Sequence, residues 1–162
     1  MQAIYLLDTN IISELTKPTP NQNVVKKIFE TQKSSVLSTT TWGEALFGLK
    51  RLPEGKRKET LTDFYVNTIQ NTYNFIDFDI HASSVYSDIK TRFERVGKIP
   101  QELDLQIASV AIANNLILVT RNIQDFKTIA ENSSLMLENW FEEKNTCRKY
   151  LFVIIFKDKH SF

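Results

Sequence analysis

The chain predicts an α/β fold of three layers, with helices on both faces of a central parallel sheet of about five strands. Two observations carry that expectation. Short apolar runs recur along the 162 residues, several of them almost continuously apolar, as strands buried on both faces are. Amphipathic stretches of helical length separate these runs, and strands that alternate with helices build βαβ units.

The elements follow in order. "AIYLL" (3–7) has strand length and ends abruptly at Asp8. After the polar triplet Asp8-Thr9-Asn10, Ile11, Ile12 and Leu15 resume at helical spacing until Pro18 and Pro20 stop the helix. Asn21 favours a new start, and 24–33 reads as the next helix. "SVLST" (35–39) is a second strand and 44–51 a helix, broken after Leu52 by Pro53 and Gly55. Residues 59–72 read as a helix, "NFIDF" (74–78) as a third strand and 82–96 as another helix. Gly97 and Pro100 punctuate a loop before the helix 104–114, which leads into "LILVT" (116–120). "LMLEN" (135–139) is the last strand of the set. Residues 1–142 are expected to form one domain and 143–162 a C-terminal extension of unknown role. Its run "YLFVIIF" (150–156) suits an edge strand, an oligomer contact, or a segment with no part in activity.

Bulk properties exclude several classes. A single domain of this size can bury one core, and 42% hydrophobic with 24% charged residues is ordinary for a soluble globular protein. Net charge is +1, from 20 basic and 19 acidic residues. That balance neither announces a nucleic-acid binder nor excludes one, because a neutral total can hide an acidic cluster beside basic patches. The lone Cys147 forbids an intrachain disulfide and fits a reducing cytoplasm. No signal-peptide order is present, and the longest apolar stretch falls far short of the roughly 18 residues that span a bilayer. A cytoplasmic protein with no membrane association is expected.

In an open parallel α/β sheet, ligands bind at the carboxyl ends of the strands. The polar groups at those ends are therefore the candidates. Asp8 and Asn10 follow the first strand; "STTTWGEALFG" places Glu44 early in the helix after the second. Thr120, Arg121, Asn122 and Asp125 follow the fourth strand, and Asp104 opens the helix that leads into it. Each acid also has a bland explanation. Asp8 suits an N-cap, Thr41-Trp42-Gly43-Glu44 matches a capping box, Asp104 favours a helix dipole, and Asp125 suits the start of a short helix. Capping explains each acid separately, but not their gathering on one edge. Clustered carboxylates that stay ionised need a cation, and oxygen donors without a His/Cys set suit Mg²⁺ or Mn²⁺. His81 and His160 are isolated, and Cys147 has no catalytic partner nearby.

These residues, in this order, resemble the PIN-domain family, and within it the VapC-like toxin ribonucleases of type II toxin–antitoxin pairs. "LLDTNIISEL" resembles the opening motif with Asp8 as its acid, and "LSTTTWGEALFGL" the second motif with Glu44. "DLQIASVAIANNLILVTRN" resembles the third block with Asp104 as its acid, and "NIQDF" and "LENW" are also similar to this group. The likeness covers about residues 3 to 140. It departs at Asn122, where many members carry a fourth acid after the "TR" pair; Asp125 is the candidate to supply that charge.

The resemblance implies a Mg²⁺- or Mn²⁺-dependent endoribonuclease, a homodimer, and a small cognate antitoxin. Asp8, Glu44, Asp104 and Asp125 are then the catalytic candidates, the first three of them metal ligands. Asn10, Thr120 and Asn122 would support them, and Arg121 would meet an RNA phosphate. Lys50-Arg51, Lys56-Arg57-Lys58 and the Lys90, Arg92, Arg95, Lys98 series are either RNA contacts or solvated helix faces. Phe64, Tyr65 and Ile69 read as core, and Phe47 and Leu49 as candidates for a dimer face. Rival readings are weaker. A haloacid-dehalogenase-like phosphatase wants an acid where Asn10 stands, and a receiver-like domain wants an acidic pair at the first strand. A catalytically weak PIN-like module that binds RNA or protein would be expected to have lost its acids.

Overall fold

The computed structural model describes residues 2–97 and 99–142. The strands are β1 (Tyr5–Leu7), β2 (Ser35–Ser38), β3 (Asn74–Ile76), β4 (Ile117–Val119) and β5 (Met136–Glu138). The helices are α1 (Thr9–Ile12), α2 (Gln22–Thr31), α3 (Thr39–Lys50), α4 (Lys56–Asp63), α5 (Gln70–Thr72), α6 (Ile80–Arg95), α7 (Glu102–Ala113) and α8 (Ile123–Glu131). Every strand pairing is parallel, in the order β3-β2-β1-β4-β5. The expected five-strand parallel sheet is present, with each strand shorter than the apolar run that announced it.

Neighbouring residues of a strand face opposite sides of the sheet. Leu6, Val36 and Leu118 pack on one side with Ala82, Ile89 and Phe93 of α6, Leu105 and Ala108 of α7, and Phe126 and Ile129 of α8. Leu7, Leu37 and Val119 pack on the other with Ile11, Val24, Ile28, Ala45, Leu49, Tyr65 and Ile69. Both faces are covered, and this is why the runs are unbroken in the sequence. Leu49 is thereby a core residue rather than part of a dimer face, whereas Phe47 is 62% exposed.

Most differences from expectation lie at helix boundaries. Ser38 caps α3, its Oγ accepting from the Thr41 amide at 2.9 Å, so the helix begins at Thr39 and not at 44. Polar caps compete with the strand end, and here the buried serine wins. The helix expected over 59–72 is α4, then a wide turn at Phe64–Ile69 in which the Gln70 N–H reaches the Tyr65 carbonyl, then α5. Helix α8, not assigned beforehand, forms because Phe126 and Ile129 lie three apart and are both buried. Lys98 and the 143–162 extension, with Cys147 and His160, lie outside the described residues. Among the described residues no helix is long and apolar enough to cross a membrane.

The strand order fixes the site. From β1 the chain runs outward through β2 to β3, then returns to the other side of β1 for β4 and β5. The order reverses between β1 and β4, where such sheets open a crevice at their carboxyl ends. Leu7 pairs with Val119, and the Asp8 amide donates to the Val119 carbonyl at 3.0 Å. Asp8 and Thr120 therefore leave the sheet side by side.

Candidate active site

Asp8 is 7% exposed and held by three donors. Its Oδ1 accepts from the Thr9 amide at 2.7 Å, and its Oδ2 accepts from Asn10 Nδ2 and Thr120 Oγ1, each at 2.6 Å. Asp8 thus does cap α1, and it does more than cap. Burial pushes its carboxyl above the usual range; the three hydrogen bonds oppose that rise, and the charge of Asp125 adds to it.

Thr120 is fully buried and is the hub of this end of the crevice. Besides donating to Asp8, its Oγ1 accepts from Asn10 Nδ2 at 3.2 Å and from the Asn122 amide at 3.0 Å. Asn10 Oδ1 in turn accepts from the Arg121 amide at 2.9 Å. Asn122 therefore joins through its backbone N–H. Its side chain makes no capping bond to α8. The Arg121 guanidinium lies 5.1 Å from the centre of the Phe141 ring.

Glu44 sits in the second turn of α3. Because Ser38 is the cap, the capping-box explanation of Glu44 does not hold. Its Oε2 accepts instead from Thr9 Oγ1 at 3.2 Å, across 35 positions of sequence. Burial raises its pKa, and so does the charge of Asp8. Asp104 lies in the first turn of α7 and is pushed up to about 6, first by burial and then by Asp125, Asp8 and Glu44. Asp125 lies in the first turn of α8. Asp104 therefore feels the charge of three other carboxylates, from Asp125, Asp8 and Glu44. As the side chains stand, no three acids, histidines or cysteines among the described residues are close enough to hold one ion.

The residues match the PIN domain family model over positions 5–132. The chain belongs to the PIN-domain family. Ribonuclease VapC2 of Rickettsia felis is 30% identical over 138 residues, covering 85% of this chain and 98% of that protein. Toxin FitB of Neisseria gonorrhoeae is 32% identical over 124 residues, with 75% and 89% covered. Among solved structures, VapBC2 of Rickettsia felis bound to a DNA fragment from its promoter superposes with a TM-score of 0.68. It is 29% identical and covers 85% of this chain and 98% of the other.

Two residues of this PIN domain escape a sequence reading. Thr9 ties Glu44 to the Asp8 loop; its place in the polar triplet was the available signal. Glu14 is an acid only 3% exposed, inside a helical apolar pattern that gives no sign of its burial. It accepts from the Asn21 amide at 2.7 Å and pairs with Lys17. Several basic candidates are also spoken for. Lys58 pairs with Glu54, Lys90 with Glu102, and the Arg51 guanidinium lies 5.5 Å from the Phe47 ring centre. His81 is exposed on α6, away from the carboxylate set in sequence and unneeded by it.

Proposed function

We propose that this chain is a Mg²⁺- or Mn²⁺-dependent endoribonuclease, the toxin of a toxin–antitoxin pair. The observation that carries the reading is the mutual charge of Asp8, Glu44, Asp104 and Asp125, with three of the four pushed upward. Such a set costs stability unless a cation meets it, and perturbed acids in a crevice mark functional sites. All the donors are oxygens, which suits a hard divalent ion.

Asp8 and Asp104 would hold the ion, with Glu44 beside them and Asp125 supplying the charge that Asn122 lacks. When bound, such an ion supplies an acidified water and charge stabilisation at the phosphoryl oxygens. The chain does the positioning. Thr120, Asn10 and the Thr9 amide fix both oxygens of Asp8, and the Thr9 hydroxyl steers Glu44 toward it. Arg121, whose backbone is pinned to Asn10, would meet a backbone phosphate. RNA binding should therefore weaken as salt rises.

The names of the relatives support RNA as substrate and a small antitoxin as partner. A homodimer and a cytoplasmic location belong to the same reading. The test is cleavage of RNA with Mg²⁺ or Mn²⁺, then with EDTA, by wild type and Asp8→Asn. Ion-dependent cleavage by wild type alone is expected. Absence of any ion-dependent cleavage would favour a module that binds RNA or protein without cutting.

A further inference from the structure

Asp104 differs from Asp8 in how it is held. Among the described residues no hydrogen bond holds the Asp104 side chain, whereas three hold Asp8. Its place is thus set by the backbone of the first turn of α7. That turn has no side-chain cap from Gln101, and its first helical bond runs from the Leu105 amide to the Gln101 carbonyl at 3.0 Å. The fully buried Leu105 anchors the turn on its core side, which leaves the Glu102 end to be held.

We propose that Tyr86, Lys90 and Glu102 form a clamp between α6 and α7 that positions Asp104. Tyr86 and Lys90 lie one turn apart on α6, and Glu102 is the first residue of α7. The Tyr86 hydroxyl donates to Glu102 Oε1. The Lys90 ammonium donates to Glu102 Oε2 at 3.1 Å and to the Tyr86 hydroxyl at 2.6 Å. Both oxygens of Glu102 are therefore fixed. The ammonium also lies 5.1 Å from the Tyr86 ring centre, and that ring stands edge-on to Phe78 at 5.8 Å. The clamp thereby reaches the segment after β3. Glu102 and Asp104 are two residues apart on one helical turn, so pinning the first restricts the second. These three are positioning residues and touch no reacting atom. The proposal rests on the nuclease reading only for its effect on rate.

The experiment uses the full chain as wild type, Tyr86→Phe, Lys90→Met, Lys90→Arg and Glu102→Gln. Amide hydrogen exchange at Leu105 is read alongside kcat and KM for Mn²⁺-dependent RNA cleavage. Lys90→Met and Tyr86→Phe are expected to speed Leu105 exchange and to lower kcat by about tenfold at unchanged KM, since small displacements in a site are costly. Lys90→Arg should restore both. Unchanged exchange and kcat in Lys90→Met overturn the clamp. A raised KM with a shallower salt dependence and unchanged exchange also overturns it, and makes Lys90 a phosphate contact. If wild type cuts no RNA with any ion, the nuclease reading falls, and the exchange measurement still decides the clamp.

Discussion

Asp8 and Glu14 stand six residues apart and are both buried, yet their environments treat them oppositely. Burial raises both. At Glu14 the Lys17 ammonium and the Asn21 amide outweigh it, with Arg121 adding its charge, and the carboxyl falls below its ordinary value. At Asp8 the donors are neutral and the nearby charge is another acid, so the carboxyl stays raised. A structural acid brings its own cation into the fold. Among the described residues no cation acts on Asp8, Glu44 or Asp104. That difference separates an acid that anchors the start of α2 from one whose charge stays uncompensated by its described neighbours.

The sharpest way to break this contrast is to neutralise each acid in turn. Asp8→Asn should lower RNA cleavage by more than about a hundredfold, beyond the loss typical of groups outside the coordination sphere. Its melting temperature should change little, because a like-charge cluster is relieved as one acceptor is lost. Glu14→Gln should leave cleavage within a few-fold and cost about 1–2 kcal/mol of stability by weakening a buried charge-assisted bond. Urea unfolding beside a cleavage assay reads both. If Glu14→Gln were the inactive one, the distinction would collapse.

Thr120→Val comes next in size. It keeps the shape of a fully buried residue but strips the hydroxyl from Asp8, Asn10 and the Asn122 amide. Cleavage should fall about ten- to a hundredfold, as for outer partners of metal-ligating groups. Stability should fall by about 1–3 kcal/mol from the unpaired groups left behind. A Thr120→Ser variant should recover most of the activity.

Ion binding sharpens the contrast further. Millimolar Mn²⁺ should raise the melting temperature of wild type more than that of Asp104→Asn, by linkage. Equal shifts in a thermal scan would remove Asp104 from the site.

The smallest effect is in pH, and its sign differs between the two kinds of acid. Asp104 has its pKa raised from 3.8 to about 6, so its contribution to stability is present at low pH and is lost as pH climbs through about 6. The melting temperature of wild type relative to Asp104→Asn, without added ion, should therefore drift downward between pH 4 and 7. Glu14, lowered from 4.5, stabilises above that value and loses its contribution as pH falls further. Wild type relative to Glu14→Gln should slope the other way.

Much of this was legible in the letters. "AIYLL", "SVLST", "NFIDF", "LILVT" and "LMLEN" each became a strand; "AIYLL" and "LILVT" are apolar throughout their paired residues because β1 and β4 are covered on both faces, while the edge strands β3 and β5 tolerate polar residues. The four acids and the "TR" pair stood at strand ends and helix starts, where the polar-to-apolar switch is abrupt. Helix starts were less legible. Glu44 had a capping-box explanation beside its role as a candidate ligand, and the cap at Ser38 removes that explanation, since a serine in a β-prone run gives no local sign of which role it takes. Lys90 read as either an RNA contact or a solvated helix charge, and only the packing of α6 on α7 brought Glu102 to it.

The sequence alone determined the alternation of strand and helix, and hence a parallel sheet with its acids on one edge; local periodicity and breaker residues suffice for that. The tertiary structure decided the strand order that sets Asp8 against Thr120, and which buried acid received a cation. The first depends on contacts between residues far apart along the chain, such as the 112 positions that separate Asp8 from its hydroxyl donor, whereas Glu14 meets its ammonium three residues on, at Lys17. Helical spacing brings Lys17 to Glu14, whereas the Thr120 hydroxyl meets Asp8 only because the sheet pairs β1 with β4, a contact that no local spacing encodes.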